Sequence, residues 1–135
     1  MKTDLKRVIY VSQKTDLSES SLQQVINTSK KNNPEEDITG CLLAGTNSYL
    51  QLLEGPTLSV DQLYSKIQAD GRHENVKKLN EERIGERLFS SWSMKLTPFD
   101  NLEWSDAEFD SGNFLNVSAE KAMNIFNRIN EYERM

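Results

Sequence analysis

Arg7-Val-Ile-Tyr-Val-Ser12 is a run of β-branched and aromatic residues, and it predicts a first strand. A helix is predicted next. Ser18 suits its N-cap, Leu17 and Leu22 stand where a hydrophobic staple places them, and Leu22, Val25, Ile26 and Ser29 trace its inner face until Pro34 ends it. Two further strand runs, Asp37–Leu43 and Ser48–Leu53, flank the turn-like Gly45-Thr46-Asn47-Ser48 and predict a hairpin. Gly55-Pro56-Thr57 then starts a second helix with Val60, Leu63, Tyr64 and Ile67 at i, i+3, i+4 and i+7, and Gly71 is placed to end it. Val76–Ile84 and Ser91–Leu96 are weaker strand runs, the first interrupted by charge and the second built around Trp92 and Met94.

The resulting order, β-α-β-β-α-β-β, fits an α+β, ferredoxin-like sheet with two helices on one face. Residues 98–116 read as irregular and acidic. Ser118 caps a final helix whose Ala122, Ile125, Phe126 and Ile129 form an apolar stripe. That stripe either covers the sheet's open face or meets a partner.

Composition narrows the function classes. At 135 residues the chain supports one core, and 36% hydrophobic with 27% charged residues is a soluble globular balance. No run approaches the roughly 18 apolar residues of a membrane span. The N-terminal residues lack a signal peptide's apolar middle, and a single cysteine, Cys41, gives no disulfide framework and no Cys-based zinc site. A cytoplasmic protein is expected. The net charge of −5 comes entirely from residues 98–135, which carry 3 basic and 8 acidic side chains. Such a surface repels phosphate backbones, so direct nucleic-acid binding is not expected. A solvated face explains the acidic stretch more simply than a protein partner does.

Gln51 stands out chemically. Period-2 alternation in Tyr49-Leu-Gln-Leu-Leu53 places it on one face with Tyr49 and Leu53, and the same rule puts Tyr10 on a face with Val8 and Ser12. A glutamine in an apolar strand needs hydrogen-bond partners, at a cost of about 1–3 kcal/mol if it lacks them. It is either a core glutamine bonded to backbone or to Tyr10, or an amide that reads the edge of a heteroaromatic ligand. Asn32 and Asn33, before Pro34, either cap the helix or meet the polar edge of a flavin or purine. Lys30 and Lys31 are either solvated or, for one of them, turned to a ligand phosphate. Arg72 and His73 are either exposed or form a phosphate- or ring-binding pair. Trp92 and Met94 share one face of the last strand, and core packing is their default role. Hydrolytic and redox constellations are missing: the sequence has no Gly-rich phosphate loop, no second histidine for a metal site and no Ser-His-Asp spacing.

Taken together the motifs resemble the BLUF family, sensors of blue light that use flavin. The matching runs are Arg7–Ser12, Asn32-Asn33 ahead of Ile38-Thr39-Gly40, Leu50-Gln-Leu-Leu-Glu-Gly55, Asp70-Gly-Arg-His-Glu-Asn-Val76, Glu86-Arg-Leu-Phe89 and Trp92-Ser-Met94. They stand in the family's order over roughly residues 5–97. The resemblance implies a BLUF photosensory domain at 1–97 and an acidic helical extension at 98–135 that serves output or dimerisation. It implies non-covalent FAD, with FMN the alternative, its ring held between the two helices. Tyr10 matches the photoactive tyrosine and Gln51 the switching glutamine. Asn33 matches the asparagine at the ring's polar edge, with Asn32 beside it, and Val25 and Ser29 line the ring. Lys30, Leu53, Asp70, Arg72 and His73 complete the implied cofactor contacts, and Trp92 and Met94 match the pair that responds to the glutamine.

The implied mechanism is electron and proton transfer from Tyr10 to the excited flavin through the Gln51 amide. Recombination leaves Gln51 rotated or tautomerised, and the strand of Met94 passes the change to the C-terminal helix. The resemblance implies no enzyme activity, an unidentified downstream protein partner and a homo-oligomer. Tyr49-Leu50 stands where an aromatic pair is common ahead of the family's glutamine, and Tyr49 is implied as a competing electron donor. Gly71 replaces a charge often found there. Two competing readings are an acylphosphatase-like hydrolase, which lacks its phosphate loop here, and a ferredoxin-like interaction module without flavin, against which Tyr10, Asn33 and Gln51 argue.

Overall fold

The computed structural model of the chain describes residues 4–15, 37–44, 48–71, 73–89, 92–96 and 117–133. These contain β1 (Leu5–Lys14), β2 (Thr39–Ala44), β3 (Ser48–Pro56), α1 (Thr57–Gln68), β4 (His73–Ile84), β5 (Trp92–Leu96) and α2 (Ala119–Glu133). The strands form one sheet in the order β4-β1-β3-β2-β5. β1 lies antiparallel to both β3 and β4, β2 and β3 form the hairpin, and β5 joins β2 in parallel. This is the ferredoxin-like α+β arrangement with one added edge strand. The helix predicted before Pro34 falls outside the described residues.

Several element ends differ from the sequence reading. β3 runs through Gly55 and Pro56 rather than stopping at Leu53, because β1 begins at Leu5 and keeps the ladder going: Lys6 pairs with Gly55 and Leu5 with Pro56. Proline is tolerated there because the strand ends at it. α1 then starts at Thr57, whose backbone N–H donates to the Asp4 carbonyl at 3.0 Å, so the start of β1 serves as the cap that Pro56 lacks. Gly71 does not end this helix. α1 stops at Gln68, and Ala69 in helical geometry closes the last turn. β4 starts earlier than read, at His73, and carries two bulges against β1. Asn75, at φ 54°, sits in the second of them, where an extra residue turns the backbone left-handed.

The two faces of the sheet bury different things. Val8, Tyr10, Ile38 and Leu53 pack with Val60 and Tyr64 of α1 on one face. Ile9, Val11, Cys41, Leu43, Leu50 and Leu52 pack on the other with Phe89, Val117, Ala122, Ile125, Phe126 and Ile129. The apolar stripe of α2 therefore covers the open face. Ser118 caps that helix, its Oγ accepting from the Lys121 N–H at 3.1 Å. Full burial of Ile125, Phe126 and Ile129 favours docking by about 1.5–3 kcal/mol each. No helix among the described residues is long and apolar enough to cross a membrane.

Candidate functional site

Strand alternation and register assemble the site. Tyr10 of β1 pairs with Gln51 of β3, Gln51 with Leu42 of β2, and Leu42 with Met94 of β5, while Tyr10's other neighbour is Lys78 of β4. One row of backbone partners thus crosses all five strands with Gln51 at its centre. Gly40 lets β2 approach β3 closely beside this row: at φ 147° it has conformational freedom that other residues lack, and a Cβ there would lie 2.0 Å from the Leu52 carbonyl oxygen.

Tyr10 and Gln51 are 3% and 4% exposed, and the tyrosine O–H donates to Gln51 Oε1. The open question about Gln51 is answered in part: its amide is bonded to Tyr10. No acceptor for its two Nε2 donors is found among the described residues, so the amide retains hydrogen-bonding capacity on this face. Burial pushes the Tyr10 phenol far above its ordinary 10.0, with smaller contributions from Tyr64, Asp70 and Tyr49. Tyr10 is consequently a neutral hydrogen-bond donor across the physiological range. A phenol held beside a carbonyl acceptor can be oxidised without leaving its proton stranded, since the acceptor is already in contact.

Around the pair, the Tyr64 ring meets Tyr10 edge-on at 5.8 Å and 64°. Lys78 Nζ stands 4.7 Å over the Tyr64 ring. Ser12 pairs with Tyr49, both buried, and Lys14 Nζ stands 5.0 Å over the Tyr49 ring. Partial burial lowers the Lys14 pKa. Leu53 lies on the same face beside Val8, and Asp70 closes the turn after α1, its N–H donating to the Ile67 carbonyl at 3.1 Å.

A flavin needs an apolar face with a few placed polar groups. The aromatic and aliphatic lining, the partly committed Gln51 amide and the buried Ser12 meet that requirement. Val25, Ser29, Lys30, Asn32, Asn33 and Arg72, expected to complete the cofactor contacts, lie outside the described residues. So do the side chains of His73, Trp92 and Met94. The backbone of His73 opens β4 opposite Lys14.

Glu54 is a buried charged residue that the sequence reading passed over. It is fully buried on the α2 face, three positions along β3 from Gln51. Its carboxylate accepts from Arg7 Nε at 2.8 Å, from the Leu88 N–H at 2.9 and 3.0 Å, and from the Phe89 N–H at 2.9 Å. The signal was present in the alternation, which groups Glu54 with the buried Leu50 and Leu52. Its backbone partners lie more than thirty residues away and carry no side-chain signature.

A family model described as sensors of blue-light using FAD matches residues 5–95. The photoactivated adenylate cyclase subunit beta of Euglena gracilis is 34% identical over 94 residues, 68% of this chain and 11% of that protein. The blue light- and temperature-regulated antirepressor BluF of Escherichia coli (strain K12) is 31% identical over 112 residues, 80% of this chain and 28% of that protein. The chain therefore spans only a minor part of these curated relatives. Among solved structures, the dark state of the BLUF protein BlrB gives a TM-score of 0.65 at 30% identity, covering 71% of this chain and 74% of that one. The BlsA ground state gives 0.76 at 26% identity, covering 93% of this chain and 87% of that one.

Proposed function

Since the chain belongs to the BLUF family of flavin-binding blue-light sensors, we propose that residues 1–97 form its photosensory domain and that Tyr10 and Gln51 are its photoactive pair. The buried hydrogen bond from Tyr10 to Gln51 carries this reading. FAD, bound non-covalently, supplies the blue absorption and, once excited, an acceptor for one electron. Gln51, Leu53 and Ser12 face it from the sheet, and Val25, Ser29, Lys30, Asn32, Asn33, Asp70, Arg72 and His73 are proposed to hold its ring and tail.

Tyr10 holds its proton firmly in the dark because burial disfavours the phenolate. When its ring loses an electron the phenol becomes strongly acidic, and the proton passes along the existing hydrogen bond to Gln51 Oε1. Return of electron and proton restores Tyr10, while the Gln51 amide is left turned or tautomerised. A turned amide presents N–H where it had presented C=O, which changes every bond it makes. Leu42 and Met94, next along the row, feel the change, and β5 passes it toward residues 98–135. The output is a shift between two packings of the extension, read by a separate protein or by self-association. The cyclase and antirepressor activities of the relatives are not carried over by matches that cover 11% and 28% of their lengths.

The test is an absorption spectrum of the purified protein before and after blue light. A flavin band that moves slightly to the red, recovers in darkness and fails to move in Gln51→Ala supports the proposal. A protein that neither carries nor takes up flavin overturns it.

A further inference from the structure

Buried carboxylates are rare unless their position serves a purpose, and the photochemistry proposed above makes no use of Glu54. Its two oxygens hold the backbone of Leu88 and Phe89, the stretch that leads into β5, and Arg7 balances the charge while also pairing with Glu82 at 3.1 Å. Arg87 ties the same stretch from the other side. Its guanidinium donates to Thr39 Oγ1 at 2.7 Å, to the Glu54 carbonyl at 3.2 Å and to the Asp37 carbonyl at 3.0 Å. Phe89, so held, is 4% exposed and meets the fully buried Phe126 of α2 edge-on, ring centroids 6.3 Å apart at 89°.

We infer that Glu54 is the positioning residue that joins β3 to the C-terminal helix, seating Phe89 under Phe126 so that a displacement of the Gln51 strand is felt by α2. β3 presents Gln51 to one face of the sheet and Glu54 to the other. A movement of this strand therefore reaches α2 directly, by a path through the sheet that does not need β5. The inference rests on the proposed output role of residues 98–135.

The test is amide hydrogen exchange, read in darkness and under blue light on the flavin-loaded full chain, for wild type, Glu54→Gln and Phe89→Leu. In Glu54→Gln the Leu88 and Phe89 amides exchange about tenfold faster in the dark, and the exchange of α2 rises with them. The light-minus-dark difference in α2 falls below about half of the wild-type value, while the flavin band shift keeps its full amplitude. A merely structural role would loosen α2 in the dark and leave its light-minus-dark difference intact, and that result would overturn the inference. If Glu54→Gln does not fold, Phe89→Leu, which keeps the apolar contact and loses the ring edge, is read against the same two outcomes. A wild-type α2 with no light response contradicts the output role of residues 98–135 instead. With no light response to relay, the inference falls as well, whereas an absent flavin band shift in wild type counts against the photosensory reading instead.

Discussion

One face of the sheet carries Tyr10, Ser12, Tyr49 and Gln51 among its aliphatic residues, and the other carries Ile9, Val11, Cys41, Leu43, Leu50 and Leu52 with Glu54 at one end. Both are buried, so the contrast is not between core and surface. The α2 face is filled with aliphatic side chains and closed by Phe126, and their burial favours folding. The Tyr10 face gives up part of that gain to keep hydroxyls and an amide in an apolar setting, where each must be bonded or cost about 1–3 kcal/mol. Alternation along the same strands separates the two tasks: one peptide unit carries Gln51 toward the chemistry and the next carries Leu52 toward the core.

The sharpest way to break this contrast is Phe126→Ala. It empties a fully buried aromatic site on the α2 face and should cost about 3–5 kcal/mol in urea unfolding. If the protein still folds, the flavin band should shift in light as before. A lost shift with intact flavin binding would show that the faces are not separable.

Tyr10→Phe acts on the opposite face. It leaves Gln51 Oε1 without its donor, lowers stability by about 1–3 kcal/mol and abolishes the light-induced shift. A light response of normal amplitude in Tyr10→Phe would move the electron donor elsewhere, with Tyr49 the first alternative.

Alkaline titration sharpens the same point. The folded-state pKa of Tyr10 is raised, so its contribution is intact below about pH 10 and is lost as pH rises from there toward the folded value, because the unfolded chain releases the proton first. Unfolding measured above about pH 10 should lose up to roughly 1.4 kcal/mol per pH unit from this group, and Tyr10→Phe should flatten that slope. The smallest effect is expected at the rim of the α1-covered face. Lys6 bridges Asp61 of α1 and Glu81 of β4, and its pKa is raised by hydrogen bonds to both. Lys6→Met should cost only about 0.2–1 kcal/mol, and less in high salt.

The faces of Tyr10 and Gln51 were legible because alternation needs only local sequence, while their pairing stayed one of several alternatives until the register of β1 and β3 fixed it. The hairpin, the inner face of α1 and the Ser118 cap were legible too. The destination of the α2 stripe was not, since an amphipathic helix states that it must be covered and not by what. The row from Gln51 to Met94 depends on the register of a parallel edge strand, which neither strand encodes alone. Strand ends were misread where the ladder overrode local signals, as at Gly55-Pro56, which resembles a helix start and belongs to β3. Glu54 read as one charge at a strand end, because its backbone partners leave no trace in side-chain chemistry.

The central claim is that the Tyr10–Gln51 hydrogen bond is what light rearranges. A light-minus-dark infrared spectrum of protein grown with isotope-labelled glutamine tests it directly. An amide carbonyl band that moves with the label in wild type and disappears in Gln51→Ala is the predicted result. A difference spectrum indifferent to the label, or unchanged in Gln51→Ala, would contradict it.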